Sequence, residues 1–119
     1  MIAAKMISKE QVSKLVGKNV ELLCFAQYSV YIHLQGGAIL TVEAGLEHTH
    51  DGIRRVYHLS TPSNESSLLS ILESTITSAT VDENGDLQVT ASNGDSLRIY
   101  KEPRYESYRL KIDAEELIP

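Results

Sequence analysis

The chain has 119 residues, of which 42% are hydrophobic and 23% charged, the size and make-up of one globular domain spanning 1–119. A single cysteine excludes an internal disulfide framework, and the stretch from Met1 to Gly17 is not apolar enough for a signal peptide or membrane span, so a reducing cytoplasm is the expected compartment. The net charge of −5 argues against direct nucleic-acid binding, because phosphate backbones are held mainly by basic residues.

Taken in chain order, Ser8 and Gln11 stand at capping-box spacing. Val12, Leu15 and Val16 then share a helical face, which predicts a short helix over about 9–16 with Gly17 at its end. Asn19 to Ala26 reads as a first strand. Ser29 to Gln35 and Ala38 to Glu43 read as the next two, joined across Gly36-Gly37. Alternation weakens from Ala44 to Asp51, so a loop is expected there, followed by a short strand over Arg55 to Leu59. Thr61-Pro62 opens a second predicted helix, near 63–73, whose apolar stripe is Leu68, Leu69, Ile71 and Leu72.

Ser78 to Asp82, Asp86 to Ser92 and Ser96 to Lys101 alternate as strands, separated by the hairpin signals Asn84-Gly85 and Asn93-Gly94. After Pro103 the segment Tyr105 to Ile112 is again extended, and Asp113 is expected to cap a final short turn over 114–117. One hairpin pattern recurs at a constant displacement of 57: Val30, Ile32, Leu34, Gly37, Leu40 and Val42 reappear as Leu87, Val89, Ala91, Gly94, Leu97 and Ile99. The expected fold is α+β, an antiparallel β-rich domain with two pseudo-repeated hairpins and two short helices. Its expected core includes Leu23, Phe25, Ile32, Leu40, Leu69, Leu72, Val89, Leu97 and Leu110, and Cys24 reads as a buried thiol.

Motifs for chemistry are sparse. The chain has no G-x-S-x-G elbow, no G-x-G-x-x-G and no G-x-x-x-x-G-K phosphate loop, so no catalytic residue is assigned and an enzyme is not expected. His48-Thr49-His50-Asp51 could place two imidazoles on one face for a metal or small ligand, but a third ligand in a defined place is lacking. Charge is unevenly spread: residues 1–60 sum to +1 and residues 61–119 to −6. Asp82, Glu83 and Asp86 flank the Asn84-Gly85 turn, and Tyr105-Glu106 adds an aromatic anchor. These five residues form the expected partner-binding surface.

The order N-G-D-L-Q-V, S-N-G-D-S-L-R-I, P-R-Y-E-S-Y-R-L from Asn84 to Leu110 resembles a group of short bacterial proteins of uncharacterised function. That group has the layout G-x-L-x-V, D-G-x-x-L-x-V, Y-E-x-W, and here Asn93 stands at its Asp and Tyr108 at its Trp. Its earlier hairpin is matched by Leu15-Val16-Gly17, Gly37, Leu40, Val42 and Glu43. The resemblance implies an immunity protein that neutralises a bacterial toxin, a nuclease in the expected case, by occluding its cationic surface. It implies no cofactor. The alternative is a small cytoplasmic metal- or ligand-binding domain built on His48 and His50.

Overall fold

A computed structural model describes residues 5–26, 29–58, 67–101, 107–113 and 115–119. The first sheet is built from β1 (Lys5–Met6), β2 (Val20–Phe25), β3 (Val30–Leu34), β4 (Ile39–Val42), β10 (Tyr108–Ile112) and β11 (Glu115–Ile118) in the order β1-β11-β10-β4-β3-β2. The second contains β5 (Gly45–His50), β6 (Ile53–His58), β7 (Ile76–Val81), β8 (Leu87–Ala91) and β9 (Ser96–Ile99) in the order β6-β5-β9-β8-β7. Every pairing is antiparallel except β1 with β11. The inner faces share one hydrophobic core, in which Leu40, Val42, Leu46, Leu87, Ile99 and Leu110 are all but inaccessible. Among the described residues, no helix is long and apolar enough to cross a membrane.

The first predicted helix forms as α1 (Lys9–Val12) followed by a 3-10 turn over Ser13–Leu15. The Ser8 hydroxyl accepts the Gln11 N–H at 3.3 Å, which satisfies an otherwise unpaired helix donor. The described part of the second is a 3-10 turn, Ser67–Ile71; residues 61–66 lie outside the described residues. Its period of three decides the packing. Leu68 and Ile71 fall on one face and are buried, whereas Leu69 and Leu72 are exposed, which corrects the expected stripe.

Three further expectations change. The segment expected as a loop is strand β5, whose inward positions alternate as Leu46, His48 and His50. The segment expected to end in a turn forms β11, with the reversal made at Asp113, φ +50°. Phe25 lies at the end of the edge strand β2 and is half exposed, while Leu23 and Cys24 are partly buried.

Strand registers in the two sheets correspond position by position. Val30 and Ile32 face Val42 and Leu40, and 57 residues later Leu87 and Val89 face Ile99 and Leu97. The bulge between Val20 and Leu22 in β2 matches that between Ile76 and Ser78 in β7. Gly17 donates to the Ile76 carbonyl as Glu73 does to Val20, and Val20 donates to Ser74 as Ile76 does to Lys18. Gly17 and Glu73 both have positive φ, and the bridge Asn19–Thr75 joins two counterparts to one another. Beside β4 runs the hairpin β10–β11, and beside β9 runs β5–β6, with Leu110 opposite Leu40 where His48 is opposite Leu97.

Leu97 is buried at 6% exposure in this core. Leu97→Ala is expected to cost about 2–5 kcal/mol in a urea or thermal melt, because the surrounding strands cannot collapse into the space left. An unchanged melt would contradict its core position.

Candidate functional site

Counterpart positions that differ in chemistry separate what the fold requires from what it does not. On β10 and at the end of the β3–β4 turn, Leu110, Ile112 and Ala38 are buried and apolar. Their counterparts are His48, His50 and Asp95. A buried polar cluster thus stands where the other sheet has buried apolar groups.

Three segments converge on Asp95. The β8–β9 turn presents it, with the Asn93 side chain accepting the Asp95 N–H at 3.0 Å and donating to the Ser70 carbonyl at 2.8 Å. From β5, His48 Nε2 lies 2.7 Å from Asp95 Oδ2 and His50 Nδ1 lies 2.6 Å from Oδ1. The Ser70 hydroxyl, from the 3-10 turn, donates to Oδ2. The two imidazoles stack with centroids 6.1 Å apart. His48 and Asp95 are buried, while the His50 side chain is 41% exposed, its Nε2 3.3 Å from Asp51.

Burial alone would raise the Asp95 pKa; hydrogen bonds from Ser70, His50, His48 and Asn93 outweigh it and lower the value to about 2. The Asp95 hydrogen bond, opposed by desolvation and by Arg55 and aided by the Asp95 and Asp51 charges, raises the pKa of His50. His-x-His thus does share a face, but each imidazole directs a ring nitrogen to Asp95. Among the described residues no group of three His, Cys, Asp or Glu side chains is arranged to hold a metal ion. His33 lies on the opposite sheet, on its outer face.

At the acidic β7–β8 turn, Asp82 Oδ1 accepts the N–H groups of Asn84 and Asp86 at 2.9 and 3.0 Å. Asp86, expected in the partner-binding surface, is withdrawn from it: it is 8% exposed, takes Arg98 Nη2 at 3.0 Å and accepts the Lys101 N–H at 2.9 Å. The physical reason is the strand alternation, which sets Asp86 beside Arg98 on the outer sheet face, where the guanidinium also reaches Asp82 at 3.3 Å. The Tyr108 hydroxyl donates to the Gly85 carbonyl at 2.6 Å from the core side, and burial raises its pKa. Glu83 alone of the three acids is exposed. Tyr105 and Glu106 lie outside the described residues.

Asp95 and Ser70 were missed by motif reading. Period-two alternation extended backward from Ile99 and Leu97 points Asp95 inward, and that signal was available. Ser70 carried none, because its role depends on a tertiary contact. The model of one protein family, the family of unknown function DUF6188, matches residues 11–118. No curated protein and no solved structure matches the chain.

Proposed function

We propose, for a chain that belongs to the family of unknown function DUF6188, an immunity-type binding protein that occludes the cationic surface of a cognate toxin, in the first instance a nuclease. One observation carries the reading: the acidic β7–β8 turn is held from several sides before any partner arrives. Asp82 closes it, Asp86 ties it to Arg98 and Lys101, and Tyr108 anchors it to the core. Glu83 and Asn84 then stand exposed at its tip with little backbone freedom to lose. The net charge of −5 supports the reading by favouring encounter with a basic partner. Asp82 and Asp86 act here as positioning residues, and Glu83 as the contact, with Tyr105 and Glu106 as proposed additional contacts. The shared registers of the two sheets further support construction of the chain from two copies of one unit that exchange their last hairpins.

Binding by occlusion requires no catalytic group and no cofactor, and its site of action is the cytoplasm of the producing cell. The test is coexpression in a bacterial host with the polypeptide encoded directly upstream. Growth is expected with this chain present and arrest without it. Equal arrest in both would contradict the proposal.

A further inference from the structure

The outer faces of the two sheets offer a second comparison of counterparts. On the first sheet, one row across the strands reads Leu22, His33, Ile39, Lys111, and the next reads Cys24, Tyr31, Thr41, Arg109. On the second, the matching rows read Ser78, Thr90, Ser96, Thr49 and Thr80, Gln88, Arg98, Glu47. The backbone frame and register are shared, so these positions differ in chemistry and not in architecture. Where the second sheet meets water with Ser78, Gln88 and Ser96, the first presents Leu22, Tyr31 and Ile39. Leu22 is 50% exposed, and Tyr31 and Ile39 are partly exposed. Polar residues serve the same fold at the same positions, so packing within the chain does not require the apolar set. A patch of apolar groups framed by charge marks an association surface.

We infer that this face joins two copies of the chain across a two-fold axis. The charges of the face select that occupant. Arg109 and Lys111 are matched by Glu43 and Glu116, with Arg109 Nη2 2.7 Å from Glu43 and Nη1 3.4 Å from Glu116. These four charges sum to zero on a chain of net charge −5. A cationic partner gains nothing from it, whereas two acidic copies can approach each other here without repulsion. Both signs are present, so the patch can meet its own image about a two-fold axis, as an isologous contact requires. Five strands by about five residues give a footprint of about 24 by 17 Å. Over two copies that is about 800 Å², the size of a weak and transient contact, so reversible association is expected toward the upper end of concentration. The acidic β7–β8 turn belongs to the other sheet and remains open in such a dimer.

The test is sedimentation equilibrium of the full chain from about 5 to 500 μM. The expected result is a concentration-dependent shift toward twice the 13.2 kDa mass of one chain. Leu22→Ser, Tyr31→Gln and Ile39→Ser together copy the second sheet and are expected to leave a monomer across that range, with an unchanged circular-dichroism spectrum. Should that variant fail to fold, Lys111→Glu alone is expected to raise the dissociation constant at least tenfold in low salt by making the face acidic. A wild-type chain that stays monomeric at the highest concentration overturns the inference. So does a dimer that survives the variants in folded form.

Discussion

Asp95→Ala is expected to destabilise the protein by about 3–5 kcal/mol, the cost of breaking a buried ionic group by removing one partner. Asp95 is shielded from solvent together with His48, and its loss removes the carboxylate that His48 Nε2 and the Ser70 hydroxyl both meet. For a domain of this length the thermal midpoint should fall by about 10–20 °C. The same substitution made with His48→Leu and His50→Ile copies the counterparts Ala38, Leu110 and Ile112, and is expected to recover most of the loss. Buried ionic groups replaced together by packed apolar ones are often neutral or stabilising. A triple variant no better than the single one would show that the two sheets do not offer equivalent packing at these positions.

The same cluster predicts a pH profile. Asp95 falls from 3.8 to about 2 on folding, so its contribution is complete above about pH 4 and is lost as pH drops toward 2. His50 is raised above 6.5, so its contribution is complete below that value and fades as pH rises through the folded pKa. Stability from the pair is therefore greatest between about pH 4 and 6.5 and declines on either side. The gap in denaturant midpoint between the wild type and His50→Ala should narrow as pH rises. A constant gap from pH 5 to 9 would contradict the assignment.

Tyr108→Ala is expected to cost about 3–5 kcal/mol, because a fully buried ring on β10 is removed from the core. Tyr108→Phe isolates the hydroxyl and should cost about 1–2 kcal/mol through the lost bond to Gly85. That pair of variants also separates core from turn. The phenylalanine variant keeps the ring packing but loosens the acidic turn, so backbone amide exchange at Asn84 and Gly85 should speed up while that of Leu110 is retained. Equal protection at both places would show that the hydroxyl does not hold the turn.

Much of the sheet structure was legible because alternation and Asn-Gly turns are local signals. β3, β4, β8 and β9 follow from Val30, Ile32, Leu40, Val42 and their partners 57 residues on. β5 was hidden by the feature that makes it of interest. His48 and His50 occupy inward positions that would otherwise read as apolar, so the apolar alternation breaks off there. β11 begins three residues after β10 ends, too short a gap to separate from a turn by pattern. The exposure of Leu69 and Leu72 followed from a 3-10 rather than an α period, which differ little over five residues. The carboxylates of the acidic turn were legible as charges, but the pairing of Asp86 with Arg98 on the outer sheet face depended on cross-strand register, which composition does not encode.

The proposed function rests on docking through the exposed tip of the acidic turn, and binding kinetics with the upstream-encoded polypeptide test it most directly. Glu83→Lys with Asn84→Lys should leave the fold intact, since neither side chain pairs with another across the turn in the way Asp82 and Asp86 do. The account predicts association slowed about tenfold at low ionic strength, a flatter salt dependence and a dissociation rate changed far less. Association kinetics indistinguishable from wild type at every salt concentration would contradict it.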